Sequence, residues 1–310
     1  MLNELPREAQ MVRIPREPTG IHEVDFWILP FRRPEAERVF PHLRGVKVAQ
    51  SMMAGVDWVT PWLPKEIVLC DARGVHDIST SEWVMAAILS AMKRFPLYRD
   101  RQHQAQWRGD LSAADPFLEF QGPHTGHYQL LGEDLEGKTV LIVGYGSIGA
   151  AIERRLQPFE VNVLRIARSA RSGPEVHAIS ELHRLLPEAD IVVLILPLTE
   201  GTKSLIGAAE LALLKPGALL VNAARGPVVV TDALVQGLEQ RRFRAVLDVT
   251  DPEPLPPEHP LWSAPGCMIT PHVAGATPQF IHRGFRFARE QIKRYVDRGK
   301  LENIVSEAGY

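Results

Sequence analysis

The chain is 310 residues long, a length that predicts two domains rather than one. Its 35 Lys and Arg against 37 Asp and Glu give a net charge of −2, which excludes a generally cationic nucleic-acid binder. With 45% apolar and 23% charged residues the chain can bury a sizeable core, and pervasive disorder is excluded.

Two cysteines, Cys70 and Cys267, are too few for a disulfide framework and point to a reducing compartment. The opening MLNELPREAQMVRIPREP mixes charge and proline without an apolar stretch, so no signal peptide is expected. Apolar stretches such as Val140–Ile152 are short and broken by glycine, so no membrane span is expected. A soluble cytoplasmic protein is the resulting expectation.

In chain order, apolar runs at Phe26–Leu29, Val46–Ala49 and Ile67–Cys70 predict strands. A helix is predicted at Pro34–Phe40, and Ser51–Asp57 reads as a loop. A long helix is predicted from Ser81 to about Arg101, capped by Ser79 or Thr80 and kinked at Pro96. Residues 108–137 are rich in glycine and read as a surface excursion. His124 and His127 lie in it at the separation of a weak metal pair, but no third ligand accompanies them and no metal site is predicted.

A more regular alternation follows. Strands are predicted at Thr139–Val143, Val161–Ile166, Ile191–Leu196, Ala218–Val221, Ala245–Leu247 and Cys267–Ile269. Helices are predicted at Ile148–Gln157, Ile179–Leu186, Ala208–Leu214, Thr231–Gln240 and Thr277–Arg298, and DPEPLPPEHP reads as a stiff loop. Strands joined by crossover helices predict an α/β doubly wound parallel sheet of the Rossmann type.

The strand Lys138–Val143 runs into Gly144-Tyr145-Gly146-Ser147-Ile148-Gly149 and then into the helical AAIERRLQ. That context turns a weak G-x-G-x-x-G pattern into a specific one. The first glycine allows the tight turn, the second lets a pyrophosphate approach the backbone, and the third lets the helix pack on the strand. The helix N-terminus then presents N–H groups to the phosphates. NAD binders carry Asp or Glu after the second strand, but VNVLRIARSARSG carries none. Arg165, Arg168, Arg171 and Ser169 stand there instead, which favours the 2′-phosphate of NADP(H). NAD(H) beside a solvated basic loop is the alternative.

Ligands of such sheets bind outside the carboxyl ends of the strands. Three later strand candidates are followed by Asn222-Ala223-Ala224-Arg225-Gly226, by Asp248 with Glu253 beyond, and by Thr270-Pro271-His272. A guanidinium suits a substrate carboxylate, and a histidine raised in pKa by a nearby acid exchanges a proton with a carbonyl or hydroxyl. Taken singly, each residue is more often structural; converging on one sheet edge, they describe a site for hydride reduction of a 2-oxo acid.

Gly144–Gly149, NAARGPVVV, LDVTDPEPLP and TPHVAGAT, together with SMMAGVDWV and STSEW earlier, resemble the D-isomer-specific 2-hydroxyacid dehydrogenases over nearly the whole chain. The resemblance implies Arg225 as the substrate-carboxylate arginine, Glu253 as the acid partner and His272 as the proton donor. It implies Asp248 at the nicotinamide carboxamide and Ser147 and Ile148 at the pyrophosphate. Thr80, Pro197, Thr202, Ala223, Ala224, Arg225, His272 and Gly275 would line the cofactor, and the Met53-Ala54-Gly55 backbone would hold the substrate. Residues 79–275 would form the dinucleotide-binding domain. Residues 1–78 and 276–310 would form a smaller, flavodoxin-like α/β substrate (lid) domain. The largely apolar helix after Thr80 resembles the family's dimer-forming element, so a homodimer is expected, with core packing as the alternative. Ala167 stands where the family usually carries Asp, which again favours NADP. With the chain ending at Tyr310, a regulatory tail like that of many phosphoglycerate dehydrogenases is not expected. A small 2-oxo or 2-hydroxy acid is the expected partner, as for glyoxylate/hydroxypyruvate reductases. A dinucleotide-sensing corepressor and an NAD-dependent phosphoglycerate dehydrogenase-like enzyme are the alternatives; Glu253 and His272 argue against a formate dehydrogenase, whose reaction needs no such proton exchange.

Overall fold

The structure, a computed structural model, describes residues 5–107 and 132–306. His124 and His127 lie outside the described residues. The chain divides into two compact units, Met1–Ser79 with Ala276–Tyr310, and Thr80–Gly275.

The first unit contains β1 (His22–Glu23), β2 (Phe26–Ile28), α1 (Arg33–Val39), β3 (Leu43–Arg44), β4 (Val48–Gln50) and β5 (Val68–Cys70). Strands β2, β4 and β5 form a parallel sheet in the order β2-β4-β5, and β1 pairs with β3. Trp27, Leu29, Ala36, Val39, Ala49, Val56, Val59 and Leu69 form its core. The central strand β4 is buried along its whole length, whereas β2 and β5 at the edges are buried only in part.

Helix α2 (Asp77–Met92) starts earlier than predicted, so Ser79 and Thr80 lie inside its first turns rather than capping it. The expected kink at Pro96 is a full break two residues earlier, because Arg94 adopts the left-handed conformation (φ 57°). Pro96 then falls in the first turn of α3 (Phe95–His103), where a missing N–H costs no helical bond. On α2, Val84, Ala87, Ile88, Ala91 and Met92 are buried within the unit's own core.

The second unit continues with β6 (Thr139–Val143), α4 (Ser147–Leu156), β7 (Asn162–Ala167), β8 (His177–Ala178), α5 (Leu182–Leu185) and β9 (Ile191–Leu194). It ends with α6 (Ala208–Ala212), β10 (Leu219–Asn222), α7 (Thr231–Glu239), β11 (Arg244–Leu247) and β12 (Cys267–Ile269). The seven strands are all parallel, in the order β12-β11-β10-β9-β6-β7-β8. Among the described residues the sheet has seven rather than six strands, since β8 has only two residues and no apolar run to betray it. The helix expected at Ile179–Leu186 is a single α turn between two 3₁₀ turns. Along the central strands, Leu141, Val143, Val192, Leu194 and Leu220 face one core layer, and Val140, Ile142, Ile191, Val193 and Val221 face the other. Each such side chain contributes about 1.5–3 kcal/mol on burial, so both faces of the sheet are strongly covered. The strand order reverses between β6 and β9, and such a switch point opens a crevice at the carboxyl ends.

Helix α8 (Pro278–Val296) returns the chain to the first unit. No helix among the described residues is long and apolar enough to cross a membrane.

Candidate active site

The loop after β6 turns at Gly144, whose φ of 107° suits glycine and whose added Cβ would lie 2.4 Å from the Ile195 carbonyl oxygen. Gly146 behaves oppositely: nothing lies within 4 Å of its added Cβ, so open space stands over the backbone there. No side chain caps α4, and its first backbone bond is Ala150 N–H to Gly146 O at 3.0 Å. The amides of Ser147 and Ile148 therefore precede the helical ladder, the arrangement that suits an anion. Gly149 seats the helix against Ile142. An approachable backbone at a helix start fits a dinucleotide pyrophosphate.

Beside this cradle, the Tyr145 hydroxyl donates to Glu153 Oε2 at 2.5 Å, and Arg165 Nε donates to the same oxygen at 2.7 Å. Arg165 Nη2 also bonds Glu153 Oε1, completing a two-pronged ion pair. That bonding, led by Arg165, holds the Glu153 carboxyl below its usual range against the opposing effect of burial. Arg165, expected at the cofactor, thus spends its fork on α4. Arg171 Nη2 bonds the Tyr145 carbonyl, and the guanidinium carbons of Arg165 and Arg171 lie 5.7 and 5.5 Å from the Tyr145 ring centroid. Arg168 and Ser169, just past the end of β7, are exposed. Farther along, Thr202 Oγ1 donates to the Pro197 carbonyl at 2.7 Å and accepts from Thr199 N–H at 2.8 Å, closing the loop after β9.

Three adjacent strands deliver the charged groups. After β10, Asn222 accepts from Ala224 N–H at 3.0 Å and donates to the Arg225 carbonyl at 3.1 Å, setting the turn that presents Arg225. At the next residue an added Cβ on Gly226 would lie 1.9 Å from the Thr250 carbonyl oxygen, so this loop presses directly on the one after β11. Asp248 at the end of β11 is buried. Its carboxylate accepts from Thr270 Oγ1 at 2.6 Å, Val273 N–H at 2.8 Å and Ala274 N–H at 2.8 Å. Asp248 O also accepts from His272 N–H at 2.8 Å. Four bonds from one residue therefore shape the loop after β12 and hold His272 at φ 55°, a left-handed conformation costing about 1 kcal/mol or more.

His272 Nδ1 lies 2.6 Å from Glu253 Oε1, and both side chains are about two-fifths exposed. The bond to Glu253 raises the His272 pKa above its ordinary 6.5, against the opposing effects of burial and of the Arg225 charge. The same bond, with help from Arg225, lowers Glu253 below 4.5. Ala223, Ala224, Arg225, Asp248, Glu253, His272 and Gly275 thus lie in the three loops following β10, β11 and β12, all within the second unit. Met53, Ala54 and Gly55 belong to the first unit, where Ser51 Oγ accepts from Met53 N–H at 3.0 Å and Ala72 N–H donates to Met53 O at 3.1 Å. Residue-by-residue reasoning missed Asn222, Thr250 and Glu153. Glu153 carried a readable signal: it falls on the buried face of α4 with Gly149 and Leu156, a position that demands a partner.

The fold and site define a class first: a nicotinamide-dinucleotide oxidoreductase built on a Rossmann sheet. The family model described as D-isomer specific 2-hydroxyacid dehydrogenase, NAD binding domain, matches residues 85–274. A glyoxylate reductase from Aeropyrum pernix is 33% identical over 246 residues, spanning 77% of this chain and 70% of that protein. One from Thermococcus gammatolerans is 30% identical over 280 residues, spanning 88% and 78%. Among solved structures, an NADPH-dependent glyoxylate/hydroxypyruvate reductase from Sinorhizobium meliloti, in complex with NADP and sulfate, has a TM-score of 0.76. It is 26% identical, over 92% of this chain and 86% of that one. The chain belongs to the D-isomer-specific 2-hydroxyacid dehydrogenase family and is an NAD(P)-dependent oxidoreductase.

Proposed function

We propose that the protein reduces glyoxylate, hydroxypyruvate or a similarly small 2-oxo acid with NADPH as the favoured donor. The observation that carries this reading is the 2.6 Å His272–Glu253 pair under the charge of Arg225, at strand ends of the sheet that also bears the cradle. The Gly144–Gly149 turn would hold the pyrophosphate, with Thr80, Pro197, Thr202, Ala223, Ala224 and Gly275 lining the cofactor. When bound, the reduced nicotinamide supplies the hydride to carbon 2. Arg225 pairs with the substrate carboxylate and orients the carbonyl. His272, kept protonated by Glu253, gives its proton to the oxygen as negative charge develops there. Asp248 acts chiefly by setting the loop on which His272 sits.

The NADP preference is supported by Arg168 and Ser169 at the end of β7, by the missing carboxylate there, and by the NADPH-dependent relative from Sinorhizobium meliloti. Arg165 no longer contributes to it. Assembly as a homodimer belongs to the same proposal and is read by sedimentation.

The test is steady-state oxidation of NADPH and NADH against glyoxylate, hydroxypyruvate, pyruvate and a branched 2-oxo acid. Turnover with NADPH preferred is expected, and H272A is expected to lose about 10²–10⁴-fold in kcat while still binding NADPH. Full turnover by H272A sinks the acid–base assignment, and a preference for NADH discards the 2′-phosphate pocket alone.

A further inference from the structure

The turn of the dinucleotide cradle carries one side chain, Tyr145, between two glycines that have none. Glycine leaves a backbone free to take many conformations, so side-chain anchoring of the turn falls to Tyr145. All three of its polar groups are bonded. Its N–H donates to the Ile166 carbonyl at 2.8 Å, its carbonyl accepts from Arg171 Nη2, and its hydroxyl donates to Glu153 Oε2 at 2.5 Å.

Glu153 lies on the buried face of α4, where a carboxylate is costly unless it is fully bonded. Arg165 meets that need from β7: its Nε donates to Oε2 at 2.7 Å, and its Nη2 bonds Oε1. The pairing register sets Arg165 beside Ile142, two residues before Gly144. One carboxylate therefore ties three segments that meet at the cradle: the turn through Tyr145, the helix through its own backbone, and β7 through Arg165. Arg171, from beyond β7, approaches the same tyrosine ring, its guanidinium carbon 5.5 Å from the centroid. Apolar side chains seat α4 on the sheet at less cost, as Ile152 and Leu156 already do. What the charged triad adds is direction, because its three hydrogen bonds have fixed geometry and hold Tyr145 in one placement.

We propose that Glu153 is a positioning residue for the dinucleotide, setting through Tyr145 the turn whose amides receive the pyrophosphate. This role, which rests on the cradle taking a dinucleotide, concerns a group that NADPH and NADH share. Glu153 therefore governs affinity for both, and selection of the 2′-phosphate lies outside the triad.

The experiment compares variants of the full chain by fluorescence titration of NADPH and of NADH and by initial-rate kinetics. E153Q and Y145F are each expected to weaken both dinucleotides about tenfold and by the same factor, with the loss in KM for the dinucleotide rather than in kcat. The double variant E153Q/Y145F is expected to lose no more than the weaker-binding single one, because both changes act through one bond. E153Q leaves Arg165 without its ion pair, which by itself destabilises the fold. Y145F/E153M/R165M therefore removes all three polar groups together. It is expected to unfold no earlier than the wild type, yet to bind both dinucleotides about tenfold more weakly. Wild-type affinity in that triple variant, or a loss in E153Q confined to NADPH, overturns the role of Glu153 while the cradle stands. Wild-type protein that binds neither dinucleotide overturns the cradle and the role of Glu153 with it.

Discussion

At the scale of single residues, the His272–Glu253 bond governs how the protein should respond to pH. Glu253 raises the His272 pKa, so the imidazolium persists above pH 6.5 and is lost only as pH rises through the raised value. Reduction of a 2-oxo acid should therefore hold steady on the acidic side and decline on the alkaline side. E253Q removes the first cause of that rise, and the alkaline limb of kcat/KM is expected to move to lower pH; an unmoved limb would dismiss the coupling. The stability linkage has two limbs: the pair's contribution is complete between pH 4.5 and 6.5, fades as pH climbs through the raised value of His272, and fades again as pH falls through the lowered value of Glu253. Solvent screening keeps it small, since both side chains are about two-fifths exposed. Arg225 makes a separate prediction. R225K keeps the charge and loses the planar fork, so KM for the 2-oxo acid is expected to rise about tenfold or more while NADPH binding holds, as initial-rate kinetics would read.

At the scale of elements, the three strand-end loops work as one block. Gly226 lets the loop after β10 touch the loop after β11, and Asp248 grips the loop after β12. G226A would drive a methyl into the Thr250 carbonyl, and a loss of about 1–3 kcal/mol is expected in denaturant unfolding, with a fall in kcat from the displaced Arg225. The amides of Val273 and Ala274 should be protected from hydrogen exchange although they lie in a loop, and D248A should release them selectively. The strands were the most legible elements: Thr139–Val143 and Cys267–Ile269 fall where their apolar runs end. Helix limits were harder, because Arg94 breaks the pattern through a backbone conformation that side-chain periodicity does not encode. Arg225, Asp248 and His272, read from the sequence as strand-end residues, do fall in the loops after β10, β11 and β12. The pairing of Arg165 was not legible, since its alternation along β7 turns it toward α4 and Glu153.

At the scale of the whole molecule, the second unit carries the cradle and the charged loops on one sheet. NADPH should therefore stabilise it by mass action, by about 2.7 kcal/mol at a hundredfold excess over Kd, and scanning calorimetry should show a rising transition. An unmoved transition would mean that the cradle takes no dinucleotide. The first unit is assembled differently, from two stretches separated by nearly two hundred residues of chain. Gln291 on α8 is fully buried and donates to Gln50 at 3.2 Å and to the Glu302 carbonyl at 2.9 Å. Gly284 leaves room for Met52, Asp71 N–H donates to the Asn303 carbonyl at 3.0 Å, and Val305 N–H donates to the Leu69 carbonyl at 2.9 Å. During vectorial synthesis, β2, β4 and β5 emerge from the ribosome before α8 and wait, with this face uncovered, until α8 and the residues after it have been translated. The intervening Rossmann unit has every strand it needs before that stretch appears, so the nascent chain is expected to acquire protease resistance there first and in the amino-terminal portion last.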